Sequence, residues 1–164
     1  MSKPNIIVVE GIDRVGKTTL VKRIVKEFGY SEFVQLNNAD KKKERKLEIE
    51  IERMYSILSV LALIKNDYII LDRYHLSEMV YGIVDRRYYN IEVENVDRIL
   101  SKLNSFLVYV EPEDIKWSSK QHGSSLLDHD RFFKLFYEKS KMNKAKCSFS
   151  NFDFFINLNL AGEK

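Results

Sequence analysis

Short apolar runs punctuate the chain, and between them apolar residues recur every three to four positions. Residues 5–9 (NIIVV), 33–36 (FVQL), 68–71 (YIIL), 106–110 (FLVYV) and 153–158 (DFFINL) predict strands. Runs without polar alternation fit strands covered on both faces. Leu20, Val21, Ile24, Val25 and Phe28 predict a helix over 18–28, closed by Gly29. Asp40 is placed to cap a long helix reaching about residue 66, with Leu47, Ile51, Met54, Ile57, Leu58 and Leu61 on one stripe. Further helices are expected over 76–83, 91–103 and 130–144. The stretch 113–130 is polar and rich in serine around Gly123, so a mobile lid is expected at about 114–127. Strands that alternate with helices imply βαβ units. The expectation is an α/β fold: a parallel five-stranded sheet flanked by helices on both faces, in one domain over 1–164.

Composition narrows the function. The 164 residues are 45% hydrophobic and 31% charged, with 6 Gly and 2 Pro, which excludes disordered and collagen-like classes. No run of 18 apolar residues occurs, and the opening MSKPNIIVVEG does not read as a secretory signal, so no membrane association is expected. Cys147 is the sole cysteine and has no internal disulfide partner. A cytoplasmic location is expected, or a host cytoplasm if the source is viral. The net charge of +3 is too balanced to suggest a nucleic-acid partner. In the basic run 41–46 (KKKERK), Glu44, Glu48, Glu50 and Glu52 interleave with or follow the basic residues, which fits a solvated helix face.

Chemistry enters at residues 11–18, Gly-Ile-Asp-Arg-Val-Gly-Lys-Thr, a full match to G-x-x-x-x-G-K-[ST] between a predicted strand and a predicted helix. Backbone N–H groups of such a loop cradle phosphates, and the following helix adds its positive end. The motif makes the expected fold that of a P-loop NTPase. Gly11, Asp13, Arg14, Val15, Gly16, Lys17, Thr18 and Thr19 are the candidate ATP-binding residues. Lys17 can reach the β- and γ-phosphates, and the Thr18 hydroxyl can ligate Mg²⁺. Arg14 stands where an arginine finger acts in other phosphoryl-transfer enzymes; the alternative is an ion pair with Asp13. The guanine-reading N-K-x-D of GTPases is absent, its nearest string being Asn143-Lys144-Ala145-Lys146.

A second constellation, Asp72-Arg73-Tyr74-His75-Leu76-Ser77-Glu78-Met79-Val80-Tyr81, follows a predicted strand at the end where open α/β sheets bind ligands. Together with GIDRVGKTT it resembles the thymidylate kinase family, whose pattern D-R-[YH]-x-x-S-x-x-x-Y is matched by Asp72, Arg73, Tyr74, Ser77 and Tyr81. The resemblance continues more weakly through YVEPED at 109–114. It implies transfer of the ATP γ-phosphate to a deoxynucleoside monophosphate, usually dTMP, with Mg²⁺. It implies that Arg73 binds the acceptor phosphate, that Arg53 is a second phosphate-binding arginine, and that Asp72 sits near the metal. Asp13 would orient the sugar or the arginines, Tyr81 would pack against C2′, and Tyr74, Ser77 and Glu78 would line the acceptor. Arg14, Lys17 and Arg73 are the implied catalytic groups, and a homodimer is the implied assembly. Residues 114–127 contain no arginine, which resembles the branch of the family that keeps its catalytic arginine in the phosphate loop. The chain stops just past the last predicted strand, so a usual final helix is not expected, and 11 Asn against 4 Ala suits a compact enzyme of an AT-rich genome such as a phage.

Three functions remain in view. A deoxynucleoside monophosphate kinase leads. A deoxynucleoside kinase, which must activate a neutral 5′-OH, lacks the E-P dipeptide such enzymes carry after the second strand; here that region reads Gln35-Leu36-Asn37-Asn38-Ala39-Asp40. The third is a non-catalytic P-loop nucleotide-binding module.

Overall fold

The computed structural model describes residues 4–33, 47–63, 68–86, 88–114, 125–153 and 155. Its sheet is parallel, with strand order β2-β3-β1-β4-β5. The strands are β1 (Ile6–Glu10), β2 (Ser31–Phe33), β3 (Ile69–Asp72), β4 (Ser105–Val110) and β5 (Asn143–Cys147). The helices are α1 (Lys17–Phe28), α2 (Leu47–Leu63), α3 (His75–Tyr81), α4 (Glu92–Leu100) and α5 (Ser125–Lys139). A π-helical turn, Gly82–Arg86, continues α3.

β1 is central, and every residue in it is buried because helices cover both faces of the sheet. Ile7, Val8 and Val9 meet Leu20, Val21 and Ile24 of α1 within one core that also holds Met79, Val96, Leu107 and Phe133. Burying these apolar side chains stabilises the fold by about 1.5–3 kcal/mol per large residue. The register places Val9 opposite Asp72 of β3 and Glu10 opposite Tyr109 of β4. The loops after β1 and β3 therefore leave the sheet at the same level, side by side.

Three element expectations are corrected. Where a strand is expected at 153–158, Asp153 and Phe155 are helical, as is Phe152, after a 3₁₀ turn over 149–151; residues 154 and 156–158 lie outside the described residues. Ser148 and Asn151 form a reciprocal capping box that starts this turn, and Phe152 and Phe155 are buried as a helical face. Among the described residues the last strand is β5, an edge strand whose Lys144 and Lys146 leave no apolar run to read. Its Lys144 ammonium donates to the carbonyls of Tyr137 (2.8 Å), Glu138 (2.8 Å) and Ser140 (3.0 Å), closing α5 at Lys139 rather than Lys144. At its other end α5 begins at Ser125, because Leu126 and His129 extend the buried stripe of Phe133, Phe136 and Tyr137 by a turn. Residues 125–127 of the expected lid are thus helix, and 115–124 lie outside the described residues. The long helix is present from Leu47; its expected start at Asp40, the 41–46 run and the 34–36 part of the second strand also lie outside them. No described helix is long and apolar enough to cross a membrane.

Candidate active site

Gly11 to Thr18 wrap the carboxyl end of β1, and α1 opens at Lys17. Gly16 has φ of +91°, and a Cβ there would stand 2.8 Å from the Phe149 ring, so both backbone and space demand glycine. Among the described residues only Arg14 (φ 66°) and Arg73 (φ 75°) are non-glycines at positive φ. Both lie in the two motifs picked out by the sequence, and left-handed backbone at such residues marks conformations that the surroundings must enforce.

Lys17 is buried, and its ammonium donates back to the Ile12 carbonyl across the loop. Burial, and then the Arg73 charge, pull its pKa from the usual lysine value down to about 7, against the opposing pull of Asp13, Asp72 and Glu10. The Thr18 hydroxyl donates to Asp72 Oδ2 at 2.8 Å. This joins the first turn of α1 to the end of β3. Arg14 is exposed at the loop tip, Val15 is buried, and Thr19 is exposed on α1.

Arg73 connects the two motifs directly. Its guanidinium pairs with the Asp13 carboxylate and donates to the Tyr81 hydroxyl at 2.7 Å, lying 5.4 Å from the Tyr81 ring centre. Burial opposes its charge, but Tyr81, Asp13 and Glu10 more than offset that, so its pKa is raised. Tyr81 is buried, which pushes its hydroxyl up to about 12 despite Arg73. Its ring also packs 4.8 Å from His129 of α5, and His129 Nε2 lies 3.1 Å from Asp85 in the π-turn. π-turns concentrate at functional sites.

The remaining residues of the second motif face elsewhere. Tyr74 is fully buried, and its hydroxyl donates to the Met54 carbonyl at 2.6 Å. Ser77 gives both its amide and its hydroxyl to Glu10. The hydroxyls of Tyr74 and Ser77 are thus both engaged by the protein's own groups. Glu78 is buried and accepts from the Tyr88 hydroxyl and from Arg86 (2.9 Å). Burial raises its pKa, with Tyr88 and Arg86 pulling the other way. Arg53 is half-buried in the middle of α2, next to Met54.

Sequence reading missed three participants. Glu10, Arg86 and Tyr88 belong to no spacing pattern; they are found only when β1, α3 and the π-turn are brought together. Glu10 has one local signal, a carboxylate closing an otherwise apolar strand directly before Gly11.

A parallel sheet with a phosphate loop at the end of its central strand, and a carboxylate closing the neighbouring strand beside the loop's threonine, defines a P-loop NTPase. Within that class the chain belongs to the AAA domain family, whose profile matches residues 3–115. No curated protein matches it in sequence. Among solved structures it is similar to the YorR protein of Bacillus subtilis in complex with phosphorylated GDP, with a TM-score of 0.69 and 15% identity over 97% of this chain and 99% of that one. It is also similar to thymidylate kinase from Candida albicans (TM-score 0.61, 15% identity, 96% of this chain and 92% of that one). A third is deoxyadenosine kinase from M. mycoides with dCMP and dCDP bound (TM-score 0.60, 16% identity, 93% and 97%). At these identities the likeness is one of fold.

Proposed function

We propose that the chain is a phosphotransferase that moves the γ-phosphoryl group of ATP to a deoxynucleoside monophosphate, with dTMP and dUMP as its preferred acceptors. The observation that carries this reading is Arg73: a mostly buried guanidinium, held at positive φ beside the phosphate loop and within one residue of Asp72. Lys17 serves the donor phosphates; Arg73 supplies a second, separate cation for an acceptor phosphate. A planar fork suits bidentate binding of that group.

A phosphate acceptor fits the way the carboxylates of the site are engaged. Among the described residues Asp13 is paired with Arg73, Asp72 takes the Thr18 hydroxyl and Glu10 is filled by α3 donors. A neutral 5′-OH needs a positioned base, whereas a phosphate monoester is already an anion. The work left is positioning and charge neutralisation. Arg14, exposed at the loop tip, would meet charge developing on the transferred group.

Thr18 and Asp72 offer hard oxygen donors, and Mg²⁺ in kinase sites takes one or two such protein ligands together with phosphate and water. These residues fit that ion, which when bound neutralises charge on the β- and γ-phosphates. For the acceptor, the Tyr81 ring closes the sugar side. The cation of the Glu78–Arg86–Tyr88 cluster is a donor suited to the carbonyl oxygens of thymine or uracil. The similarity in fold to thymidylate and deoxyadenosine kinases supports the same reading.

A second reading, ATP hydrolysis without a nucleotide acceptor, draws on the AAA domain match. Coupled ADP release decides between them, measured with no acceptor, with each dNMP and with deoxynucleosides. ADP release that requires dTMP or dUMP supports the proposal. Release that needs no acceptor, or a nucleoside as best substrate, overturns it.

A further inference from the structure

Glu10 closes β1 and is fully buried, yet no lysine or arginine forms an ion pair with it among the contacts of the described residues. Its carboxylate is satisfied by one segment. Oε1 accepts from the backbone amides of Tyr74 (2.9 Å), Leu76 (3.1 Å) and Ser77 (3.2 Å), and Oε2 accepts from the Ser77 hydroxyl. Tyr74, at the cap position of α3, provides no side-chain cap of its own. The cap comes instead from a neighbouring element of the sheet. The amide of Arg73, one residue earlier, donates to Val9 at 2.9 Å. Two consecutive residues of β1 therefore grip the segment on both sides of the positive-φ Arg73, and the next residue of β1 is Gly11 of the phosphate loop.

We propose that Glu10 is a positioning residue that registers the acceptor-binding arm, Arg73 to Tyr81, on the phosphate loop. Arg73 stands in a backbone conformation that a non-glycine residue does not hold unaided. Its guanidinium must nonetheless reach Asp13 on one side and Tyr81 on the other. A rigid carboxylate with each oxygen occupied fixes where α3 begins, and so fixes the distance between the cation for the acceptor phosphate and the cradle for the donor. The buried charge is tolerated because amide and hydroxyl donors meet it at a helix start. Three of the four contacts to Glu10 come from backbone amides, which no residue pattern announces.

The inference rests on the phosphotransferase reading only where turnover is the readout. Glu10→Asp keeps the charge and withdraws it by one methylene; Glu10→Gln keeps the length and an accepting oxygen. Each is compared with wild type for KM of dTMP, KM of ATP and kcat, and for amide hydrogen exchange over residues 73–77 without nucleotide. We expect Glu10→Asp to speed exchange over 73–77 at least tenfold while α1 is unchanged. It should also raise the KM of dTMP about tenfold or more, with the KM of ATP moving less than threefold. Glu10→Gln should restore both readouts to within about threefold of wild type. Ser77→Ala, a milder change, should raise the KM of dTMP severalfold and serves if Glu10→Asp fails to fold. Unchanged exchange over 73–77 in folded Glu10→Asp overturns the proposal. So does a parallel loss of ATP and dTMP binding, which is what a purely structural residue gives. A wild type that turns over no acceptor overturns the phosphotransferase reading, and the exchange measurement then decides the role of Glu10 by itself.

Discussion

At Lys17 opposing influences meet: burial and the Arg73 charge favour the neutral amine, while Asp13, Asp72 and Glu10 favour the ammonium. With the balance near 7, ATP affinity of the free protein should fall as pH rises from about 6.5 to 8.5, since the ammonium is the phosphate-binding form. Stability should move oppositely. The unfolded lysine binds its proton up to its ordinary value, so through that window the unfolded state holds more protons and raising the pH favours the fold. Titration calorimetry and thermal melts across pH test both signs, with Lys17→Met flattening each. Lys17→Ala should remove turnover and leave the fold intact by circular dichroism. Arg14→Ala should lower kcat at least a hundredfold and move ATP affinity little, because an exposed residue at the loop tip contributes where charge develops; a loss confined to the KM of ATP would show ground-state binding only. Tyr81→Phe removes a hydrogen bond to a charged group, so the KM of dTMP should rise about tenfold. Tyr81→Ala should in addition admit UMP relative to dUMP. At this scale the sequence is legible where chemistry imposes spacing, as in Gly11 to Thr18 and in Asp72-Arg73. It is silent on direction: nothing in D-R-Y-x-x-S says that Tyr74 points at Met54 or that Ser77 points at Glu10.

Elements follow the same division. α1 is legible because burial of one face imposes an apolar period on its residues, and β1, β3 and β4 because burial on both faces makes them continuous apolar runs. β5 is not, since an edge strand pairs on one side and carries lysines, while Phe152, Asp153 and Phe155, in an apolar stretch that imitates a strand, are helical after the turn capped by Ser148. The π-turn after α3 has no periodic signal either, yet it sets Asp85 against His129 and Arg86 against Glu78. Gly82 opens that turn with ordinary helical angles, and a Cβ there would lie 2.8 Å from the Tyr88 ring. That ring is pinned by its hydroxyl to Glu78 and Arg86, so it has nowhere to retreat. Gly82→Ala should therefore cost about 1–3 kcal/mol in urea unfolding, the range for overpacking, and should weaken acceptor binding more than ATP binding.

For the whole molecule, the strand order matters more than any single helix. Placing β3 beside β1, with Val9 level with Asp72, lets one end of the sheet present a threonine, a carboxylate, a lysine and an arginine from two loops 54 residues apart at the Thr18–Asp72 contact. The Asp13–Arg73 pair spans the same gap and bears on selectivity among the many anions of a cell. An anion that enters must displace a carboxylate already seated on the guanidinium, so weakly held ions such as chloride or sulfate compete poorly. A doubly charged phosphomonoester that is also gripped through its sugar and base has the additional attachment needed to win the exchange. On the phosphotransferase reading proposed above, the pair acts as a threshold on occupancy that keeps background electrolyte out of the acceptor seat. Asp13→Asn lowers that threshold: the variant should be inhibited by sulfate at concentrations several times below those that affect wild type, read from turnover at fixed ionic strength.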